Sequence, residues 1–373
     1  MKRILVLIAL LAVLPIVLLI KRSSPHPAAT SEVGGKPDVE ISTASTLTVA
    51  QRLALPRTTR GESGTSDVLT ATNLLTRVLN GEDPPRISKE QAEAFAAANG
   101  RRPEALLAAW RASGDLSFLR EAMEKHPQDA NVAYMAWCQA AALKPGENFE
   151  TARREQLEKF KAAAPDNALA NYLSARDLFR SGDTTQAMEE LAAGADKPWR
   201  DYTLDAIQNT EEAYRSAGFS EAEAKAIASM GALLPHLSEL RATGKSLNEL
   251  AATRREAGDT ASADAALQWA IQLGQRTGQE GTMTLVQQLV AVAIERDTLK
   301  KFDPNALVDA SGLTAQQRLA ELEQRRDAIK GVAKDSGEIM QRLSEAELAL
   351  YFDRLKMFGE ESAVQWAKRR SSN

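Results

Sequence analysis

Helix-start signals recur from residue 88 onward and constrain the fold of this sequence more than any other feature. A capping box has Ser or Thr before a helix and Glu or Gln three residues later, so that two free backbone N–H groups gain side-chain acceptors. The spacing occurs, with helical apolar periodicity behind it, at Ser88, Ser220, Ser246, Thr314 and Ser344. The pattern predicts an all-α body over residues 67–373.

Glycines mark the predicted helix ends. A glycine follows an apolar helical stretch at Gly100, Gly114, Gly182, Gly218 and Gly258. A left-handed residue is common there, and glycine adopts it without steric cost. Composition favours the same fold, because aromatic residues make up only 5% and long runs of Val, Ile and Thr are absent. We therefore expect helices packed through small and aliphatic side chains, with no sheet.

The N-terminus contains 17 consecutive apolar residues, Ile4 to Ile20, flanked by two basic residues on each side. As a helix this run is about 25 Å long, at the short end of what crosses a bilayer. We expect residues 1–22 to be an uncleaved membrane anchor. The alternative is a cleaved signal peptide and a secreted protein, although the nearest small-x-small site, Ala29 to Ser31, lies well behind the apolar run.

The predicted anchor and the segment after it would tether the helical body to the membrane. Equal basic flanks leave the charge rule for orientation undecided, and the short N-terminal tail favours an inside N-terminus with an extracytoplasmic body. Residues 23–66 are rich in Ser, Thr, Pro and Gly and have no sustained apolar period, which is typical of a linker. A short helix, Val68 to Leu79, is expected where the body begins.

Charge and residue types argue against several kinds of function. Lys and Arg total 46 against 50 Asp and Glu, so the net charge of −4 gives no general attraction to nucleic acid. The single cysteine, Cys138, lies in an apolar stretch and is expected to be buried. The histidines His26, His126 and His236 are far apart, and no catalytic or dinucleotide motif is present. We expect no metal, cofactor or catalytic residue, while a site assembled from distant helices stays open.

One fragment, Thr243 to Ser246, matches the end of a phosphate-binding P-loop. The first glycine of that motif is needed so that backbone N–H groups can surround phosphate, but Glu239 occupies its position and would repel phosphate. We interpret the fragment as a glycine turn followed by a serine helix cap.

Two segments align when their glycines are superposed, Ala168 to Pro198 and Gly244 to Gly274. The first contains Gly182, Asp183, Ala187 and Leu191; the second contains Gly258, Asp259, Ala263 and Leu267 at the same spacing. A third copy begins at Ala130. This pattern resembles the tetratricopeptide repeat, a helix–turn–helix of about 34 residues with small residues where its helices touch.

The resemblance is clearest over residues 103–198 and 245–273 and departs from the family at two positions, of which one is the family's glycine, here Ala175 and Ala251. The large aromatic residue usual near the start of the repeat is Asn171 in one copy and Leu247 in another. The resemblance implies stacked antiparallel helix hairpins, an α-solenoid with a concave surface that binds a protein or peptide. In that family the first helix of each hairpin supplies the surface.

The expected partner-binding residues are the first-helix positions Tyr134, Tyr172, Arg176, Arg180, Asn248 and Arg255. An acidic or C-terminal-carboxylate peptide would suit the two arginines, which lie one turn apart. The alternative for the two tyrosines is packing between helices. We therefore expect a membrane-tethered, non-enzymatic interaction scaffold. The alternatives are an enzyme with a site assembled from distant helices and a structural envelope component.

Overall fold

The computed structural model describes residues 71–79, 82–142, 149–279, 284–308 and 312–371. These residues form helices and loops, with no β-strand among them. The helices are α1 (Ala71–Leu79), α2 (Lys89–Ala98), α3 (Pro103–Ser113), α4 (Leu116–Lys125), α5 (Ala130–Ala142), α6 (Phe149–Ala163), α7 (Ala168–Ser181), α8 (Thr184–Gly194), α9 (Thr203–Ser216), α10 (Glu221–Met230), α11 (Pro235–Glu256), α12 (Thr260–Gln279), α13 (Leu285–Leu299), α14 (Ala315–Met340), α15 (Glu345–Phe358) and α16 (Glu360–Ser371). The all-α prediction for the body is confirmed for the described residues.

Most of the predicted helix boundaries are present. Both capping-box hydrogen bonds form at Ser88, Ser220, Thr314 and Ser344, where α2, α10, α14 and α15 begin. The five predicted terminal glycines all have positive φ, between 65° and 97°. Local sequence therefore determines where these helices begin and end, because the cap contacts lie within one turn of the boundary.

The predicted boundary at Ser246 is wrong. Residues Gly244 and Ser246 lie inside α11, which continues without interruption from Pro235 to Glu256. Gly244 makes a close helix contact instead of a turn, since a Cβ placed on it would lie 2.8 Å from Ile294 Cγ2 of α13. Tertiary packing of α11 on α13 explains this glycine, whereas no turn requires it.

Consecutive helices pack as hairpins. The pairs α3/α4, α5/α6, α7/α8, α9/α10 and α11/α12 are each in extensive contact, and α5/α6 is the third copy expected from Ala130. The small residues predicted at the hairpin contacts, Ala187 and Ala263, are fully buried, as are Leu191 and Leu267. The hairpins are thus present as predicted, while their assignment to the tetratricopeptide family stays a prediction.

The hairpins do not pack in chain order. After α7/α8 the chain turns away, and α9 packs against α3 while α10 packs against α15. The following hairpin then returns, and α11 packs against both α7 and α5. A simple row in which each hairpin covers the next is therefore interrupted by the pair α9/α10.

The buried apolar side chains form one large cluster and two smaller ones. The large cluster extends from α1 to α13. One small cluster lies between α12, α13 and α14, and the other joins α1 and α10 to α14, α15 and α16. Leu75 of α1 is buried in this last cluster, so the first described helix is attached to the C-terminal helices.

No helix within the described residues is both long enough and apolar enough to cross a bilayer. The predicted anchor, residues 1–22, and the predicted linker, residues 23–66, lie outside the described residues.

Candidate interaction site

Four arginines from α6 and α7 meet three carboxylates from α6, α7 and α11. We call this set the arginine cluster: Arg153, Arg154, Arg176 and Arg180 with Glu150, Asp177 and Glu239. The helices position these groups by simple periodicity, because Arg176 and Arg180 are four residues apart on α7 and project from the same side. Glu239 faces them because α11 packs directly on α7.

Glu239 connects α11 to the arginines. Arg180 Nη2 donates to Glu239 Oε2 at 2.9 Å, and Arg176 Nε donates to the same oxygen at 3.3 Å. Arg176 also donates to the hydroxyl of Ser246 at 3.2 Å. Charge-assisted hydrogen bonds therefore cross between α7 and α11 at three points.

The remaining contacts join α6 to α7. Arg153 donates to Asp177 and, at 2.8 Å, to Glu150, while Arg154 Nε donates to Asp177 Oδ2 at 2.9 Å. The hydrogen bond to Asp177 raises the pKa of Arg154, which keeps that guanidinium charged. Arg180 Nη1 lies 3.3 Å from Glu150 Oε2. Three helices are thereby held by one network.

The arginine cluster combines four arginines with three carboxylates, and a further carboxylate, Glu158 on α6, acts on Arg154 and helps to raise its pKa. Arg153 is almost fully buried, and its Nε has no acceptor among the described residues. Arg154 and Glu150 are more than half exposed, with 57% and 55% of their side-chain surfaces in contact with solvent. The cluster is therefore a charged network whose inner part is fixed by packing and whose outer part is accessible.

Only part of this site follows from the predicted residues. Arg176 and Arg180 come together as expected, whereas Arg153, Arg154 and Glu239 were not predicted to join them. The adjacent pair Arg153 and Arg154 is visible in the sequence. Its position beside α7 is set by the packing of α6 on α7, which residue spacing does not reveal.

The expectation that Tyr134 and Tyr172 are exposed is wrong. Tyr134 is fully buried among aromatic rings, including Phe160 at 5.3 Å, and its hydroxyl forms a 2.8 Å hydrogen bond with His236 Nδ1. Tyr172 is also buried, with its ring centroid 5.6 Å from that of Trp199. The alternative of packing between helices holds for both, because a large apolar ring gains more from burial than from solvent.

Neither of the last two predicted residues belongs to the arginine cluster. Asn248 is half-buried on α11. Arg255 is exposed, and it donates to the carbonyl of Lys301 at 2.9 Å and to Asp264 at 3.0 Å. It lies about 13 Å further along α11 than Ser246, so these arginines do not form a single surface.

A second group of polar side chains is deeply buried. His236 lies at the start of α11 with Nε2 3.5 Å from Asp201, and burial lowers its pKa so that the neutral ring is favoured. Burial likewise raises the pKa of the Cys138 thiol to about 12, which keeps it protonated at neutral pH. Because His236 has no exposed surface, a substrate cannot reach it unless the helices separate.

A cavity of about 380 Å³ lies between α12, α13 and α14. Arg318 on its wall pairs with Glu295 at 3.0 Å and with Glu321 at 3.2 Å, and Arg325 pairs with Glu361 at 2.6 Å. Its cations are thus balanced by carboxylates. Within the described ranges, no three His, Cys, Asp or Glu side chains are arranged to hold a metal ion.

Comparison with known proteins gives no relative. No family model, no curated protein and no solved structure matches this chain.

Proposed function

We propose that this chain is a membrane-tethered, non-enzymatic interaction protein that binds an acidic segment of a partner at the arginine cluster. The observation that carries the proposal is the convergence of four arginines on helices held in place by packing, with the outermost, Arg154, 57% exposed to solvent. Arginine suits this role because its planar group can grip a carboxylate with two parallel hydrogen bonds.

Binding proceeds by exchange of one carboxylate for another. Glu150 is the most exposed acid in the arginine cluster, and it accepts hydrogen bonds from both Arg153 and Arg180. Glu150 can move aside at small cost, because its pair with the partly exposed Arg180 contributes little to stability and the buried Arg153 keeps its hydrogen bond to Asp177. A partner carboxylate then takes its place, while Asp177 and Glu239 continue to hold the arginines from below.

The first test measures peptide binding by the full chain in detergent. A fluorescent peptide with acidic residues and a free C-terminal carboxylate is compared with its neutral amide by fluorescence anisotropy. Arg180→Gln should weaken binding of the acidic peptide roughly fivefold, since one charge-assisted hydrogen bond at a half-exposed site is lost. Glutamine is preferred to glutamate because a new carboxylate there would face Glu239 and Glu150.

Two further variants make this test specific. Glu150→Gln should strengthen binding of the same peptide, because the donors of Arg153 and Arg180 lose their competing acid. Arg102→Gln replaces an exposed arginine outside the cluster, paired with Glu104 at 3.6 Å, and should leave binding unchanged. Equal affinities for wild type, Arg180→Gln and Glu150→Gln would mean that the cluster only joins helices.

The tether is tested separately by washing membranes with alkaline carbonate. The apolar run Ile4 to Ile20 should keep the chain in the membrane pellet, because a spanning helix resists conditions that release surface proteins. Recovery of a soluble chain that starts near Glu32 would instead establish a cleaved signal peptide.

A further inference from the structure

Helix α15 exposes large apolar side chains to solvent. Leu350, Met357 and Phe358 have exposed fractions of 49%, 71% and 57%. Leu350 and Met357 lie seven residues apart on one side of the helix, opposite the buried Leu348 and Leu355. Large apolar side chains exposed together on one side of a helix are typical of a contact site.

Helix α16 extends this surface and adds positive charge. The guanidinium of Arg354 lies 5.2 Å from the Phe358 ring centroid and 5.7 Å from that of Trp366, so it connects the two rings. The last turn of α16 carries Lys368, Arg369 and Arg370. Aromatic rings beside cations are typical of side chains that lie at the level of lipid headgroups.

The charges near this surface are not fully neutralised. Lys368 lies 2.9 Å from Asp335, and Arg370 lies 3.8 Å from Glu347. Arg369 forms no ion pair within the described residues. This unpaired cation lies on α16, which packs beside α15, and gives the surface attraction for an anionic layer.

The described part of the chain begins beside this surface. Helix α1 packs against α15, and its Leu75 is buried in the same apolar cluster as Tyr351 and Phe352. Residues 1–70 precede α1, so the chain that leads to the predicted anchor, residues 1–22, enters the body beside α15.

We propose that Leu350, Met357, Phe358 and Trp366, with the cations of the last turn of α16, lie against the surface of an anionic bilayer. We call this set the α15 surface. The proposal rests on the membrane tether for its geometry, since a tether raises the effective lipid concentration and lets a weak surface contact persist. Docking orients the helical body on the membrane.

The test places a fluorescent probe on the surface of the full chain. Met357→Cys is labelled with the environment-sensitive dye NBD through a maleimide, and the native Cys138 stays unlabelled because it is fully buried and its pKa is raised to about 12. Thr185→Cys, at an exposed position on α8, is the matched control. Each protein is reconstituted into vesicles of phosphatidylcholine alone or of phosphatidylcholine mixed with phosphatidylserine.

The expected result is a blue-shifted NBD emission at position 357, quenched by brominated lipids and stronger with phosphatidylserine. Position 185 should show none of these changes. Replacing Arg369 and Arg370 with glutamine should shift the ratio of docked to undocked chains roughly thirtyfold, because cations near an anionic surface bind additively.

Other outcomes would overturn the proposal. An emission at 357 that is the same in vesicles and in detergent, without quenching by brominated lipid, would show that the surface stays in water. A blue shift that depends on protein density and not on lipid composition would assign the surface to a second copy of this chain. Flotation of the vesicles reports the tether independently, so a failed tether is distinguished from a failed surface contact.

Discussion

The two hairpins that align in sequence, α7/α8 and α11/α12, have turns of the same conformation between their helices. Gly182 and Gly258 end their first helices with φ of 87° and 80°. The next residue donates back across the turn in the same way, from Asp183 N to Leu178 O at 3.0 Å and from Asp259 N to Arg254 O at 2.9 Å. Each aspartate then accepts a 3.1 Å hydrogen bond from the backbone three residues later. Equal local sequence has produced an equal local structure.

The first helices of these hairpins differ. Helix α7 begins at Ala168, capped by the side chain of Asn167, whereas α11 begins at Pro235, well before the aligned position Gly244. The extra segment, residues 235–243, has no counterpart in α7. It carries His236, which bonds to Tyr134, and Glu239, which accepts from the arginine cluster.

This difference distinguishes the turn that both hairpins have from the arginine pair that only one of them has. The positions of Arg176 and Arg180 in α7 correspond to Ala252 and Glu256 in α11, both exposed. The second hairpin therefore has the shared turn and no arginine pair. The extension of α11 supplies the acid that holds the arginines of α7 in place, so the arginine cluster is made by two unequal hairpins together.

The largest effect is expected at the close helix contact that both hairpins have. Ala187→Leu and Ala263→Leu should each lower the free energy of unfolding by about 1–3 kcal/mol, because both alanines are fully buried and a larger side chain forces its neighbours from their preferred rotamers. Denaturant melts followed by circular dichroism measure this. The matching replacement of the exposed Ala252 by leucine should change stability little, and unchanged midpoints for the two buried sites would contradict the hairpin contact.

A smaller effect is expected where the hairpins differ. Gly244→Ala should lower the free energy of unfolding by about 1 kcal/mol, since overpacking against Ile294 exceeds the gain in helix propensity. A double-mutant cycle with Ile294→Ala measures the contact, because the glycine replacement should cost less once that side chain is shortened. Strict additivity would show that Gly244 and Ile294 do not limit the approach of the two helices.

The smallest effect belongs to the extension of α11 and depends on pH. Burial lowers the pKa of His236 in the folded protein, so the unfolded chain binds its proton more readily. The stabilisation is complete above the ordinary histidine pKa and is lost as the pH falls through the lowered value. Asp201 opposes this loss because its carboxylate favours the protonated ring.

Chemical denaturation at neutral and mildly acidic pH measures this effect. The wild type should lose stability between the two, and His236→Gln should lose less. His126→Gln, which changes a histidine at the end of α4, is the control. An equal acid sensitivity of wild type and His236→Gln would assign that sensitivity to other groups.

Local signals in the sequence predicted this fold well. The caps at Ser88 and Ser344 and the terminal glycines Gly182 and Gly258 lie where expected, because a cap is completed by residues within one turn. The same reasoning failed at Ser246. There, a capping-box spacing lies inside a helix whose start was set by Pro235 and by packing on neighbouring helices.

The candidate site was predicted only in part. Arg176 and Arg180 share a helix face by periodicity alone, so the sequence predicted their proximity. Tyr134 and Tyr172 were expected at the surface because they lie on first helices. Their burial depends on the helices that cover them, including the extension of α11 that brings His236 to Tyr134.

By itself the sequence determined the helices, most of their boundaries and the hairpin turn repeated at Gly182 and Gly258, because these rest on contacts a few residues long. Only the tertiary structure decided that α9/α10 packs outside the row of hairpins and that α11 packs against α7. It also decided that Glu239 meets Arg176 and Arg180 from a helix some sixty residues away in sequence. Such contacts depend on which apolar faces cover one another, and several arrangements of the same amphipathic helices satisfy the same periodic pattern.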